Sequence, residues 1–262
     1  MSATARDTDR PHDVPRSERD VPQHDRYGEP GQHGVRVSGA SGIAALVAAG
    51  RYAIHHHGAE AGEELWSIEA LPEGGAIAHG EQVLVAPHPL PSELEWRARL
   101  SPTGRIETLE VDWRVGTRAV RAEHAVLGTR WHARLLHGGH TREQEGDFPP
   151  QAEVAFGSHV LHMLAFRRYV LAEGAEHEYP VISIGPPWFA AEPGRQRIVC
   201  TEQQWRHMPW GRFLARHVEV SDPSGATPPF RAWLDEHDVV LESYDDPWAR
   251  EPWMRLTEYQ RG

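Results

Sequence analysis

From Glu93 to Leu136 apolar and polar residues alternate. Leu94, Trp96, Ala98 and Leu100 are interleaved with Glu93, Glu95, Arg97 and Arg99, and Leu109, Val111, Trp113 and Val115 with Thr108, Glu110, Asp112 and Arg114. Successive side chains on a strand point to opposite faces, so this pattern predicts half-buried strands. Thr103-Gly104, Gly116-Thr117 and Gly128-Thr129 separate the runs and read as two-residue hairpin loops. Glycine in first place, as in the last two, suits a type II′ turn. These loops set a register: Trp96 opposite Val111, Leu94 opposite Trp113, Arg97 opposite Glu110, Asp112 opposite Arg121, Val126 opposite Trp131 and Glu123 opposite Arg134. A slip of one residue would place each apolar side chain against a charge. Two like-charge pairs remain, Glu95 with Asp112 and Glu110 with Glu123, and diagonal arginines can offset them. One polar residue falls on the apolar face, His124.

Further strands are predicted at Arg51 to His57, Glu63 to Leu71, and Ala76 to Ala86 with a break at Gly80. After the meander come a turn at Gly138-Gly139 and a polar edge strand or loop at His140 to Phe148. More strands follow at Tyr179 to Gly185, Arg197 to Gln203, Arg212 to Val220, Phe230 to Asp235, Val239 to Tyr244 and Trp253 to Tyr259. The one long helical pattern is Ser158 to Ala172, capped by Ser158 and ended by Gly174. Its apolar residues cover so much of its circumference that it must be deeply buried or packed on two sides. Ser41 to Ala49 reads as a short helix, capped by Ser41 and stopped by Gly50. The expected fold is mainly β: an antiparallel curved sheet or incomplete barrel wrapped around one main helix. Residues 1–36 hold almost no large apolar groups and are expected to form a disordered tail. Residues 37–262 are expected to form a single domain.

Composition narrows the function. The net charge of −11 excludes a nucleic-acid backbone as partner. All basic side chains are arginine, so lysine nucleophiles and Schiff bases are excluded. A single cysteine, Cys200, permits no internal disulfide and reads as a small buried hydrophobe. No run is long enough to span a membrane. The residues before Val47-Ala48-Ala49 are mixed in charge and contain proline, unlike a signal n-region, which favours a cytoplasmic protein over an exported one.

Candidate chemistry is sparse. His55 and His57 share a strand face, and with Glu60 they look like the first metal motif of a cupin. The spacing to Glu60 is short and a second motif is missing, so the favoured reading is a solvated strand end with no metal. His159 and His162 can meet on one helix face but lack a carboxylate at fixed spacing. Asp235 to Asp238 suits a hairpin tip as well as a cation. No nucleophile elbow and no phosphate-binding loop occurs, and no cofactor is implied. Trp96, Trp113 and Trp131, all on the apolar face of the meander, are either core filler or the wall of an apolar cavity.

The order of elements resembles the lipoprotein-localisation-factor superfamily, which includes bacterial glycolipid-binding and related domains. The resemblance rests on a first strand followed by Gly58, Gly62, Glu64 and Trp66, then a long meander, one helix, more strands, and a closing hairpin from Trp233-Leu234-Asp235 to Val239-Val240-Leu241 with a last strand carrying Leu256 and Tyr259. It covers about residues 45 to 260. It implies an incomplete, lipocalin-like β-barrel wrapped over a helix and enclosing an apolar cavity. The signal peptide and lipidated cysteine of such proteins have no counterpart here, so lipoprotein transport is not implied.

The expected function is binding of an apolar or amphipathic, lipid-like small molecule by a soluble protein, with His124, Trp96, Trp113 and Trp131 as ligand contacts. One alternative is an enzyme using the same cavity with His124 as general acid or base. Another is a scaffold without ligand. The sequence specifies neither the ligand nor the oligomeric state. Limited proteolysis should remove residues 1–36 and leave a core that begins between Val37 and Tyr52; a protected tail would overturn the disorder expected there.

Overall fold

The computed structural model describes residues 45–224, 229–245 and 251–262. The expected disordered tail and the start of the expected helix at Ser41 lie outside them. The described strands form one sheet of 15, and their order from edge to edge is β8-β7-β6-β5-β4-β3-β2-β1-β15-β14-β13-β12-β11-β10-β9. In chain order they are β1 (Ala45–His56), β2 (Ala59–Ala70), β3 (Ala76–Leu84), β4 (Ser92–Leu100), β5 (Ile106–Val115), β6 (Arg118–Leu127), β7 (Arg130–His137), β8 (His140–Asp147), β9 (Glu153–Phe156), β10 (Glu176–Gly185), β11 (Ala190–Met208), β12 (Gly211–Ser221), β13 (Phe230–Leu234), β14 (Val240–Tyr244) and β15 (Met254–Arg261). Helix α1 (His159–Phe166) follows β9. Neighbouring strands pair antiparallel except β9 and β10, which are parallel.

One connection forces the sheet to curl. β8 and β9 are consecutive in the chain yet form opposite edges of the sheet. Only residues 148–152 join them, and an extended link of that length reaches roughly 20 Å. A flat sheet of this many strands would be roughly 65 Å wide. The two edges must therefore approach each other while remaining unpaired, which gives a large curved, unclosed sheet. The side chains along the inside of the curl form the core, with Tyr52, Ile54, Leu109, Ile198, Leu234 and Met254 fully buried.

The meander has the register its alternation predicts. Trp96 faces Val111, Leu94 faces Trp113 and Arg97 faces Glu110. Asp112 faces Arg121, and Glu123 faces Arg134 while Val126 faces Trp131. Glu123, set opposite Glu110, is clasped by Arg121 at 3.2 Å and Arg134 at 3.7 Å, which offsets that like-charge pair. Gly116 and Gly128 have φ of 57° and 64° and neither following threonine has a positive φ, as a type II′ turn requires. The loop between β4 and β5 differs from the two-residue expectation. Ser101 and Arg105 close it through Ser101 N to Arg105 O at 2.8 Å, so it spans residues 102–104. A bulge then separates the Leu100–Ile106 pair from the Arg99–Thr108 pair and restores the expected register.

Three tryptophans lie over glycines on the adjacent strand. Trp66 faces Gly50, Trp96 faces Gly80 and Trp131 faces Gly146. A Cβ at Gly50, Gly80 or Gly146 would lie 2.8, 2.6 or 2.8 Å from the respective indole. The indole replaces the packing that the glycine lacks. Hence β3 runs through Gly80 without the expected break.

Two helix expectations need correction. Ala45 to Ala49 is the start of β1, which pairs with both β2 and β15; pairing on both sides overrides local propensity. The helix expected over Ser158 to Ala172 ends at Phe166. Beyond it the side chains are committed elsewhere: Arg168 to Glu153 and the Gly104 carbonyl, and Tyr169 stacked on Tyr179 at 4.8 Å. Gly174 serves a turn that hydrogen-bonds to the Cys200 carbonyl at 2.8 Å. Nearly all of α1 is buried, between β9 and β14, and Ser158 caps it by accepting from Val160 N at 3.2 Å. Strand β9, its edge position and the first half of β11 were not anticipated.

Gly80→Ala should cost about 1–3 kcal/mol in urea unfolding, because the new methyl displaces Trp96. Gly157→Ala, where a Cβ meets nothing within 4 Å, should stay within about 0.5 kcal/mol of wild type. Equal effects at the two positions would show that Trp96 does not depend on Gly80.

Candidate functional site

The inner face of the meander brings two of the expected contact residues to one aromatic cluster. The Trp96 ring meets Phe156 edge-on with centroids 6.3 Å apart, and Trp113 meets Phe189 likewise at 5.7 Å. Phe156 and Phe189 are themselves 6.2 Å apart. Phe156 ends β9 and Phe189 leads into β11, so the β9 end of the sheet contributes two rings to a wall whose tryptophans come from β4 and β5. Trp131 is also buried but sits over Gly146 near the β8 edge.

His124 is on the inner face as expected, 9% exposed. Burial pulls its basicity down to about 4, and a hydrogen bond to the Phe189 backbone opposes that only partly. The imidazole is therefore neutral at pH 7. Its Nε2 is buried without a partner among the described residues.

A second polar group on the inner face, centred on Glu64, was not singled out from sequence. Tyr52, Glu64 and Gln82 form one cross-strand row on β1, β2 and β3, and all three are buried. Trp96 Nε1 donates to Glu64 Oε1 at 3.2 Å. The Ser158 hydroxyl, at the cap of α1, also faces this carboxylate. Burial pushes Glu64 up to about 7, with Ser158 and Trp96 pulling the other way. Glu64 Oε2, Trp66 Nε1 and His159 Nδ1 are buried without hydrogen-bond partners among the described residues. All three surround Tyr52, whose ring centroid is 6.2 Å from Trp66 and 6.0 Å from His159. The Tyr52 hydroxyl is tied to the Val240 carbonyl at 3.0 Å, and burial, then Glu64, raise its pKa well above the usual phenol value. His159 Nε2 is within hydrogen-bond reach of Ser243 Oγ. Burial and then His162 pull His159 down to about 3. Burial pulls His162 to about 4 against a bond to the Phe156 backbone.

Two grooves accompany these residues. One, of about 420 Å³, is lined by Phe156, His162, Ser183, Ile184, Trp188 and Phe230 among others. Phe156 thus belongs both to this groove and to the aromatic wall. The other, of about 440 Å³, is lined by His124 and Ala133 together with residues of the charged face such as Glu110, Glu123, Arg134 and Glu143.

The remaining candidates are placed as follows. His57 lies beyond the end of β1 with a φ of 51°, so it does not share the strand face expected with His55. Among the described residues no three His, Cys, Asp or Glu groups are arranged to hold a metal ion. Asp235 holds the β13–β14 turn, with Oδ1 accepting from His237 N and Val239 N at 2.8 Å each. Cys200 is fully buried. No helix among the described residues is long and apolar enough to cross a membrane.

No protein-family model matches the chain, and no curated protein matches it. Among solved structures, a β-barrel-like protein of DUF1849, a domain of unknown function, from Brucella abortus aligns with TM-score 0.53 at 10% identity, over 84% of this chain and 99% of that one. A DUF1089 family protein from Pseudomonas aeruginosa aligns with TM-score 0.47 at 16% identity, over 69% of this chain and 89% of that one. The Brucella likeness shows a shared β-barrel-like fold. The expected kinship with the lipoprotein-localisation-factor superfamily narrows to that barrel-like fold.

Glu64 should make stability fall as pH rises. Its folded value lies above its ordinary 4.5, so the stabilisation is complete below about pH 4.5 and is lost as pH rises through about 7. Relative to wild type, Glu64→Gln should gain roughly 3 kcal/mol between pH 4.5 and 8 in urea unfolding. The histidines have lowered values and lose stability in the opposite direction, on acidification from pH 6.5, but they are common to both proteins and cancel in the difference. A difference that does not change with pH would show that Glu64 is not buried in the ionised form.

Proposed function

We propose that the chain binds an apolar or amphipathic small molecule within its curved sheet. The supporting observation is the position of Phe156, which forms the aromatic wall with Trp96 and also lines the 420 Å³ groove. The groove's volume is in the range of small-molecule sites, and one ring separates it from the wall. The ligand's body packs against Trp96, Trp113 and Trp131, and His124 offers a neutral hydrogen-bonding point through its unpartnered Nε2. Decanol is the test ligand. It should quench tryptophan fluorescence saturably, and His124→Leu should weaken binding about two- to tenfold without changing the unfolding midpoint greatly. Absence of saturable quenching would remove the binding reading in favour of a scaffold. Unchanged affinity in the variant would remove His124 from the site.

An enzyme using His124 is the less supported reading. An imidazole whose basicity is reduced to about 4 is neutral at pH 7, without the extra proton of an imidazolium general acid, and is a weak base.

A further inference from the structure

The buried carboxylates of this chain follow a rule with one exception among the described residues. Glu153 is paired with Arg168. Glu242 is held by Arg206 and Arg255. Asp235 accepts two backbone N–H groups. Glu64, with no exposed surface, has only the neutral Ser158 hydroxyl and the Trp96 indole, and its Oε2 has no partner. An unpaired buried carboxylate is costly, and natural sequences normally supply a cation or fixed donors. Apart from Ser158 and one cross-strand neighbour, Gln82, both neutral, the side chains named around it are aromatic. Tyr52 is its cross-strand neighbour, Trp66 is two residues along the same strand face, and Trp96 is bonded to it. Aromatic faces beside a carboxylate attract organic cations.

We infer that Glu64 is the head-group site for an aliphatic amine, whose ammonium supplies the positive charge that the protein omits. This inference rests on the binding function proposed above and names the class of ligand. Trp96 links the two regions: its ring meets Phe156 at the groove and its Nε1 bonds Glu64. Ser158, beside Glu64, is two residues from Phe156 along the junction of β9 and α1. An amine seated on Glu64 therefore has its alkyl chain beside Trp96 and Phe156, directed toward the groove. Trp66 makes no hydrogen bond through its indole nitrogen, which leaves a second polar atom unpartnered beside Glu64. A carboxylate or phosphate head is disfavoured there, since it would face Glu64 with no arginine to offset it.

The experiment compares decylamine, decanol and decanoate by tryptophan quenching on wild type and Glu64→Gln. Decylamine should bind wild type at least about tenfold tighter than decanol, with decanoate weakest. Glu64→Gln should lose the advantage of the amine while keeping its affinity for decanol. If decanol binds wild type as tightly as the amine, the head-group assignment is wrong and the binding function stands. If no probe binds, both fall. An amine preference that survives in Glu64→Gln would place the amine elsewhere, for example at the outer groove beside Glu110 and Glu123, and would also overturn the assignment. Should the variant fail to fold, carboxyl-carbon NMR of wild type decides. Decylamine should shift the Glu64 resonance to that of an ionised carboxylate at pH 6, and an unmoved resonance rejects the proposal.

Discussion

The short link from β8 to β9 is the constraint on which the rest depends. It connects the two edges of a sheet that is otherwise built almost entirely from neighbouring antiparallel strands. Such strands could spread into an open, twisted ribbon. With residues 148–152 as the tether, the sheet has to curl until its edges are close. Curling brings Phe156 from one edge against Trp96 in the middle of the meander. It also brings the β10–β11 turn against β7 and β8, where Ala191 N reaches Gln144 Oε1 at 3.4 Å. Phe189 enters the core at this point with a positive φ of 53°, a conformation that bulky residues adopt only when their surroundings hold them there. The inner space is thus bounded by residues that are far apart in sequence.

Curvature also explains the tryptophan-over-glycine pairs. A strongly curled sheet needs room on its inner face where strands bend toward each other. Gly50, Gly80 and Gly146 provide that room, and Trp66, Trp96 and Trp131 fill it from the adjacent strand. Large rings anchored in this way form a rigid wall. Helix α1 then fills what the sheet cannot, buried on nearly every side. The Arg168–Glu153 pair fixes the chain just beyond its C-terminal end to β9, and Arg168 Nη1 donates to the Gly104 carbonyl at 2.8 Å in the β4–β5 loop.

The sequence displayed the meander well because one face is charged and the other apolar over four strands. Alternation of period two assigns each side chain to a face, and the short glycine-containing loops then set the antiparallel direction and the register. The same signal flags any polar residue on the apolar face, which is how His124 stood out. Glu64 carries that signal too, since Gly62, Glu64, Trp66 and Ile68 share one face of β2. It was named for the resemblance but not as a buried polar group, because the alternation of β2 is weaker: Leu65 breaks it on the exposed face, and the adjacent Glu63 makes Glu64 look like part of a solvated pair. The shortened helix and the strand at Ala45 to Ala49 were not legible for a different reason. Both depend on partners more than 100 residues away or on side chains drawn off by tertiary contacts, and local pattern holds no record of either. The aromatic wall was half legible: its tryptophans come from the meander, while Phe156 and Phe189 lie in segments whose pattern predicted no strand.

His124 and Glu64 show how differently one interior treats two titratable groups. An imidazole buried in apolar surroundings gives up its proton and becomes a neutral polar ring, so His124 is accommodated by losing basicity. A carboxylate escapes its charge only by holding a proton, and at neutral pH Glu64 sits near the midpoint between the two forms. Gln would present nearly the same shape to Trp96 and Ser158 without that cost. A glutamate that contributed only packing would therefore weaken the fold at neutral pH for no structural return. Its charge has value where something positive can meet it, and the protein's own arginines do not: Glu153 and Glu242, equally buried, show that this chain can bring guanidinium groups to an interior carboxylate. The absence of one at Glu64 leaves the group near its midpoint at neutral pH, where the ammonium proposed above would complete its ionisation.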